Sequence, residues 1–155
     1  IAIFADGRKR VEMKVKVINR SGNPLPQFKT EASAGMDLSA NLERPVELQP
    51  GQRQLVGTGL YMELPIGYEA QVRPRSGWAL KEGVTVLNAP GTIDADYRGE
   101  IGVLLINLGQ SPVTVRHGDR IAQLVIAKYE QIEWSVSETL QSSERGAGGF
   151  GSTGK

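Results

Sequence analysis

The chain has 155 residues, with 18 lysines and arginines against 17 acids and no cysteine. This near-neutral balance argues against a protein that coats nucleic acid or membranes through bulk charge, and the length suits one domain. Because there is no cysteine and His117 is the lone histidine, disulfides, thiol nucleophiles and histidine metal clusters are excluded. A bound metal would be a hard cation held by oxygens.

The first residues do not resemble a targeting segment. Residues 1–12 lack the order of a signal peptide, and no run of about 18 apolar residues occurs anywhere in the chain. We therefore predict that residues 1–12 are an N-terminal extension or a cloning remnant, and that the protein is soluble and cytoplasmic.

Short stretches of alternating apolar and polar residues dominate the rest of the chain, starting at Val11. Turn sequences such as SGNPLP, QPGQ and APGT separate them, a spacing typical of an antiparallel all-β sandwich, jelly roll or barrel. Only SGWALKEG predicts a short helix, which ends at Gly83. The apolar pattern stops after Leu140, so a β domain over 13–140 and an arm over 141–155 are expected. Strands are predicted at 11–17, 46–49, 54–64, 68–73, 84–88, 100–107, 113–117 and 121–134.

Two short stretches bear candidate site residues. In PRSG, Arg75, Ser76 and Gly77 supply a guanidinium fork, a hydroxyl donor and unobstructed backbone N–H groups, which suit a phosphate. The alternative is an ordinary turn. In AGMDLSA, Asp37 is the only acid among small and apolar residues, so it is either a turn or cap residue or a group that faces a cation.

The stretch NAPGTIDADYRGEI, from Asn88 to Ile101, concentrates three acids, a tyrosine and two glycines. Its turn residues predict a hairpin whose strand places Asp94 and Asp96 on one face. Paired carboxylates there could order water, or one could act as a general base. The alternative is an acidic hairpin without catalytic function. Further on, RIAQLVI reads as a core strand whose only polar side chains are Arg120 and Gln123.

The tail ERGAGGFGSTGK contains the spacing of a phosphate-binding loop, GFGSTGK. We reject that interpretation because no strand precedes the loop, no helix can follow it, and no serine or threonine comes after Lys155. Two alternatives remain, a disordered tail or an arm that becomes ordered over a ligand.

Five stretches together resemble the trimeric dUTPase family, the dUTP nucleotidohydrolases. They are AGMDLSA, PRSGWAL, GTIDADYRGEIGV, RIAQLVI and ERGAGGFGSTG, and they extend from Ala34 to Gly154. The resemblance implies a jelly-roll-like β-barrel that assembles as a homotrimer, with no nucleic-acid or membrane partner. It also implies Mg²⁺-dependent hydrolysis of dUTP to dUMP and pyrophosphate, which limits uracil in DNA and supplies dUMP for thymidylate synthesis.

The same resemblance implies a role for individual residues. Asp94 would orient and deprotonate the water that attacks the α-phosphorus, Tyr97 would pack under the deoxyribose, and Asp37 would bind Mg²⁺ through water. The phosphates would contact Arg75, Ser76, Gly77 and Gln123, and the uracil edge would contact Asn88 and the backbone of Gly91, Thr92, Ile93 and Asp94. From the tail, Arg145 would reach the γ-phosphate, Phe150 would lie over the uracil ring, and Gly151, Ser152 and Thr153 would donate to the phosphates.

One position, Trp78, departs from the family pattern. Two other classes of protein with the same fold are the alternatives to a dUTPase. Trp78 stands where relatives often have leucine, and we expect it to pack beside the site or at the trimer axis. dCTP deaminases have a catalytic glutamate in the strand after the third motif, where this chain has the apolar run 103–105. A catalytically silent nucleotide-binding protein is the other rival, although Asp37, Asp94 and the fifth motif are all intact.

Overall fold

Eleven β-strands and one short helix form the fold of residues 13–149, the part of the chain that this computed structural model describes. The predictions for residues 1–12 therefore lie outside the described residues. The elements are β1 Lys16–Asn19, β2 Gly35–Ser39, β3 Val46–Leu48, β4 Arg53–Gly57, β5 Leu60–Glu63, β6 Tyr68–Arg73, α1 Ser76–Glu82, β7 Val84–Val86, β8 Gly91–Ile93, β9 Gly102–Asn107, β10 Val113–Val115 and β11 Arg120–Lys128.

All strand pairs are antiparallel, and they form two sheets and two ribbons. The larger sheet has the strand order β2-β11-β6-β8, and the smaller has the order β4-β9-β7. The ribbons pair β1 with β5 and β3 with β10. Most neighbours in these sheets are distant in sequence, so long-range pairing determines the architecture.

The two sheets and the β3–β10 ribbon share one apolar core. Strand β9 shows why: its residues alternate, so that Val103 and Leu105 are buried while their neighbours are only partly covered. Burial of alternate side chains is the property that defines a half-buried strand. Leu38 of β2, Leu48 of β3 and Leu124 of β11 complete the same cluster from the other strands.

Several predicted elements are confirmed, while others differ at their ends. Strand β6 has the predicted bounds, and α1 ends at Gly83, which has the left-handed backbone that a helix end favours. Predicted strand 54–64 is instead two strands, because Gly59 with φ 69° turns the chain between them. Predicted strand 121–134 ends at Lys128, and β2 was not predicted as a strand.

The predicted half-buried strand 11–17 is wrong in extent within the described residues, and its predicted burial holds only before the strand, where Met13 and Val15 are partly covered. The strand begins at Lys16, and all four of its residues are exposed, with Val17 at 42%. The physical reason is position: β1 pairs only with β5, at the margin of the core. Leu60 of β5 is buried in the core, whereas no described residue covers the side chains of β1.

Residues 129–149 contain no strand or helix, and most of them are exposed. Large apolar side chains at Ile132, Trp134 and Val136 project into solvent, Trp134 at 85% exposure. Within residues 13–149, no helix is long and apolar enough to span a membrane.

Candidate active site

Four of the five stretches singled out in the sequence are neighbours in the larger sheet. Strand β2 carries Asp37, β11 carries Gln123, β6 leads into Arg75, and β8 leads into Asp94. The register places Gln123 opposite Asp37 on one side and opposite Arg73 on the other. Residues separated by up to 86 positions along the chain, 37 and 123, are therefore cross-strand partners.

At one end of this sheet, which we call the arginine end (Asp37, Arg75, Arg120 and Gln123), a carboxylate lies between two guanidinium groups. Arg75 Nε is 3.3 Å from Asp37 Oδ1, and Arg120 Nη1 is 3.2 Å from Asp37 Oδ2. Arg75 also donates from Nη1 to the Arg120 carbonyl at 3.1 Å. Two guanidinium charges against one carboxylate leave a net positive charge, and this surplus suits an anion.

Gln123 is held at the arginine end by close packing. Its Nε2 donates to the Pro74 carbonyl at 3.0 Å. A Cβ at Gly35 would lie 2.6 Å from Gln123 Oε1, so the glycine in AGMDLSA makes room for this amide. The stretches that contain Gly35, Pro74 and Gln123 therefore pack directly on one another.

Ser76 and Gly77 follow Arg75 at the start of α1. Both are exposed, and Arg75 takes the N-cap position without a side-chain cap bond. Its carbonyl accepts from Trp78 N at 3.1 Å and Ala79 N at 3.0 Å. The first N–H groups of a helix have no acceptor within it, so Ser76 and Gly77 present donors beside the Arg75 guanidinium.

Strand β8 is an edge strand of the larger sheet. Gly91 pairs with Val72 and Ile93 with Ala70 on β6, whereas no strand of residues 13–149 pairs with the other edge of β8. The backbone groups along that edge are available to a ligand with its own donors and acceptors. Asn88 is exposed a few residues before the strand.

After β8 the chain enters a turn that we call the Asp94 loop, residues 94–100. The predicted hairpin is wrong: Tyr97 N donates to the Asp94 carbonyl at 3.1 Å in a turn, and β9 pairs with β4 and β7 rather than with β8. Asp94 and Asp96 are both exposed. Among the described residues, no hydrogen bond or ion pair reaches the Asp94 carboxylate, so it is accessible to water.

Tyr97 lies across the Asp94 loop and forms one wall of a small groove. Its hydroxyl donates to the Glu100 carbonyl at 3.0 Å, while the residue is 46% exposed. The groove measures ≈ 170 Å³ and is lined by Thr92, Asp94 and Glu100 as well. A second groove of ≈ 760 Å³ adjoins Asp94 on the side of Glu69, Asp96 and Tyr129.

The arginine end and the Asp94 loop are at opposite ends of β6. Asp94 follows Ile93, which pairs with Ala70, whereas Arg75 comes two residues after the other end of the strand. At about 3.3 Å per residue, the chain from Ala70 to Arg75 spans up to about 17 Å. The Asp94 carboxylate therefore lies at the opposite end of β6 from the arginine end of the same chain.

The remaining predicted residues lie in the tail. Arg145 is exposed and donates from Nε to the Gly148 carbonyl at 2.8 Å, so it is not part of either end of the sheet. The roles predicted for Phe150, Gly151, Ser152 and Thr153 lie outside the described residues. Trp78 packs partly against the core, and its Nε1 donates to Glu82 Oε2 at 3.2 Å.

The contact of Arg120 with Asp37 was not predicted from the sequence. Arg120 was one of two polar side chains in the apolar run RIAQLVI, and its side chain is the second cation on Asp37. An arginine that interrupts an apolar strand was the available signal.

No group of three or more histidine, cysteine, aspartate or glutamate side chains within residues 13–149 is arranged to hold a metal ion. Asp37 is the carboxylate nearest the surplus of positive charge, with its side chain 24% exposed. A single carboxylate suits Mg²⁺, which keeps several waters and binds phosphates in addition to one or two protein carboxylates.

Comparison with known proteins identifies the family. The chain matches the dUTPase family model over residues 21–154. The chain belongs to the dUTPase family. A deoxyuridine 5'-triphosphate nucleotidohydrolase from Cytophaga hutchinsonii is 60% identical over 91% of this chain and 92% of its own length. One from Rickettsia bellii is 55% identical over 92% of this chain and 95% of its own length.

Solved structures agree with this fold. A variant of the dUTPase of Staphylococcus bacteriophage 80alpha, solved with dUpNHpp, is 26% identical with a TM-score of 0.82, and the match covers 92% of this chain and 99% of that one. With the strand content described above, it confirms the predicted all-β, jelly-roll-like fold. Membership of the dUTPase family likewise confirms the prediction of an enzyme of the hydrolase class.

Proposed function

We propose that this dUTPase-family chain hydrolyses dUTP to dUMP and pyrophosphate at a site that two copies of the chain complete. The observation that carries the proposal is the adjacency of β2, β11, β6 and β8, which bear four of the five family stretches. Relatives named as deoxyuridine 5'-triphosphate nucleotidohydrolases and a relative solved with dUpNHpp support the choice of substrate.

Asp94 is the group that activates water in this proposal. The Asp94 carboxylate is exposed, and no hydrogen bond or ion pair within residues 13–149 occupies it, so a water molecule can reach it. The carboxylate takes a proton from water as the oxygen attacks the α-phosphorus, while the bond from that phosphorus to the α,β-bridging oxygen breaks and pyrophosphate leaves. General-base assistance of this kind contributes about 10² to 10⁴ in rate.

The arginine end binds the phosphates. A triphosphate carries about four negative charges, and a forked guanidinium matches two phosphate oxygens at once. Arg75 and Arg120 would exchange the Asp37 carboxylate for phosphate oxygens, beside the donors of Ser76, Gly77 and Gln123. Asp37 keeps the two guanidinium groups oriented until the substrate arrives.

In this proposal the edge of β8 binds the base, and Tyr97 packs against the sugar. Backbone donors and acceptors from Gly91 to Asp94, with the Asn88 amide, are complementary to a uracil edge and mismatched to cytosine, whose donors and acceptors are reversed. A narrow slot excludes the methyl group of thymine by overlap. The Tyr97 ring under the deoxyribose occupies the place that a ribose 2'-hydroxyl requires.

Mg²⁺ is the proposed cofactor, with Asp37 holding it through water. When bound, the ion neutralises part of the phosphate charge and orients the phosphate chain.

The separation of the two ends supports a homotrimer with shared sites. Asp94 must lie within reach of a water on the same α-phosphate that the arginine end binds, yet the two are separated by up to about 17 Å along β6 in one chain. A closed ring of three copies can place the Asp94 loop of one copy against the arginine end of the next.

Mixing two inactive variants tests the shared site directly. Asp94→Asn chains keep the arginine end, and Arg75→Ala chains keep Asp94, so neither homotrimer is expected to be active. After denaturation and refolding together in equal amounts, about one quarter of the sites would combine an intact Arg75 with an intact Asp94, if neighbouring copies form each site. Separately refolded variants are the control, and a mixture no more active than they are contradicts the shared site.

The tail supplies the lid in this proposal. Residues 141–155 would reach across to a neighbouring copy and close over the substrate, with Arg145 on the γ-phosphate, Phe150 over the uracil and Gly151, Ser152 and Thr153 on the phosphates. In its described part, residues 129–149, this segment forms no strand or helix and is mostly exposed, which supports such a crossing.

A pyrophosphate-release assay with dUTP, dCTP, UTP and dTTP tests the proposed activity. We expect turnover with dUTP far above the other three. Ammonia release from dCTP would indicate a deaminase instead, and binding of nucleotides without turnover would indicate a silent relative. Either result would overturn the proposed function.

A further inference from the structure

Glu100 closes the Asp94 loop but takes part in no step of the proposed reaction. Its Oε1 accepts a hydrogen bond from the Gly59 N–H at 2.8 Å, across to the turn between β4 and β5. Gly59 has φ 69°, a conformation that glycine adopts without strain. A Cβ at Gly57 would overlap the Glu100 carboxylate. The turn thus provides both a donor and an open space for this side chain.

The next residue, Ile101, is anchored to the same turn through its backbone. The Ile101 carbonyl accepts from Thr58 Oγ1 at 2.7 Å, and Ile101 N donates to the Leu60 carbonyl at 2.8 Å. Thr58 is almost fully buried, so its bond to Ile101 is shielded from solvent. The carboxylate adds an attachment one residue nearer the loop.

The bond between the Glu100 carboxylate and Gly59 bears on Tyr97, because the Tyr97 hydroxyl binds the backbone carbonyl of the same glutamate. The Glu100 carbonyl is the acceptor for the Tyr97 hydroxyl at 3.0 Å. Gly99 allows this contact, because a Cβ there would overlap the tyrosine hydroxyl and ring. The chain of contacts therefore runs from the Gly59 N–H through the Glu100 carboxylate and carbonyl to Tyr97, along the groove that Asp94 also lines.

We propose that Glu100 is a positioning residue: its carboxylate, bound to the Gly59 N–H, orients the carbonyl that holds the Tyr97 hydroxyl, and it thereby determines how strongly the site rejects a ribose. The inference rests on the proposed function, in which Tyr97 reads the sugar. A displaced Tyr97 ring would leave room for the ribose 2'-hydroxyl, so kcat/KM for UTP would rise relative to kcat/KM for dUTP.

Steady-state kinetics with dUTP and UTP on three variants test this. Glu100→Ala removes the acceptor and is expected to narrow the dUTP to UTP ratio of kcat/KM by about tenfold or more, since a misplacement of 1 Å costs as much as about 10² in rate. Glu100→Gln keeps an oxygen acceptor for the Gly59 N–H, so it is expected to keep most of the wild-type preference in kcat/KM for dUTP over UTP. An unchanged ratio in Glu100→Ala refutes the proposal.

Gln52→Ala is the matched control. Gln52 Oε1 accepts from the Gln49 N–H at 3.0 Å, at the opposite end of β4 from Gly57. The substitution therefore removes a comparable side-chain acceptor of a backbone N–H, far from the Asp94 loop. A general loss of stability would lower activity on both nucleotides equally in both alanine variants, whereas the proposal predicts a changed ratio only for Glu100→Ala.

Two further measurements cover other outcomes. If Glu100→Ala does not fold, Glu100→Asp replaces it in the kinetic comparison, because the aspartate side chain is one methylene too short to reach the Gly59 N–H. If the wild-type protein does not hydrolyse dUTP, the proposed function fails. Amide hydrogen exchange then still tests the bond between the Glu100 carboxylate and the Gly59 N–H. Exchange of the Gly59 amide should be faster in Glu100→Ala than in Glu100→Gln. Equal rates would refute the role of the Glu100 side chain in holding this amide.

Discussion

The arginine end and the Asp94 loop lie on one sheet but differ in how their charges are held. At the arginine end, Asp37 is bound by Arg75 and Arg120, and Gln123 is bound to the Pro74 carbonyl. In the Asp94 loop, the backbone is clamped by Glu100 and Ile101 while the Asp94 carboxylate itself is bare among the described residues. A phosphate-binding surface benefits from charges oriented in advance, whereas a general base must be free to take a proton.

The largest effect is expected from Asp94→Asn. The amide cannot take a proton from water, so kcat for dUTP should fall by about 10² to 10⁴. Affinity for dUpNHpp, measured by calorimetry, should change little because the arginine end is intact. Asp96→Asn is the matched control, an exposed carboxylate in the same loop. Equal losses in both variants would mean that loop charge, rather than proton transfer, supports turnover.

Deletion of residues 141–155 should have the next largest effect. In the proposed site, the arginine end alone would then hold the phosphate chain, and turnover should fall by about 10²-fold. Light scattering should still report a trimer. Deletion of residues 1–12 is the control, because the family match begins at residue 21. Full activity without residues 141–155 would leave the tail without a function in catalysis.

Arg120→Ala should weaken dUTP binding by about tenfold or more, the value of one charge-assisted hydrogen bond. The loss should shrink as salt is raised, because the contact is ionic and partly exposed. Calorimetry with dUpNHpp at two salt concentrations measures both effects. Arg116→Ala, at an exposed arginine before the same strand, is the control, since only the backbone of Arg116 bonds to Asp119 and the substitution keeps that backbone. An unchanged affinity would show that Arg120 only orients Asp37.

The smallest effect is expected from an ion pair outside both ends of the sheet. Lys16 donates to Glu63 at 3.0 Å on the β1–β5 ribbon and lowers the pKa of that carboxyl through the hydrogen bond and its charge. A lowered pKa in the folded state contributes stability above the unfolded pKa, and this contribution is lost as pH falls through the folded pKa.

Lys16→Met should therefore raise the pKa of Glu63, which carboxyl NMR titration measures, and leave kcat for dUTP unchanged. A fall in kcat would mean that the ribbon influences the Asp94 loop, which it adjoins at Arg98.

Much of the candidate site was predictable because its residues occur in local patterns. PRSG, AGMDLSA and GTIDADYRGEIGV each combine the residue types that a phosphate, a cation or a water requires, and their order along the chain indicated the family. The contact of Arg120 with Asp37 was not predictable in this way, because 83 positions separate the two residues. Only the pairing of β2 with β11 brings them together.

The errors in strand prediction have the same origin. Residues 88–101 have the turn chemistry of a hairpin, yet β8 pairs back to β6 and β9 joins the other sheet. The alternation from Val11 to Val17 is real, but β1 lies on a ribbon where no core of this chain covers it. Alternation predicts which residues share a face, and it does not predict what covers that face.

By itself, the sequence determined the strand-rich class, the helix end at Gly83, the family and the chemical types of the site residues. These depend on side-chain alternation, turn preferences and motif composition, which act within a few residues. Only the tertiary structure decided that Arg75 and Asp94 lie at opposite ends of β6, and that Asp37 is held by two arginines. Strand order and register arise from contacts between distant segments, and no local pattern specifies them.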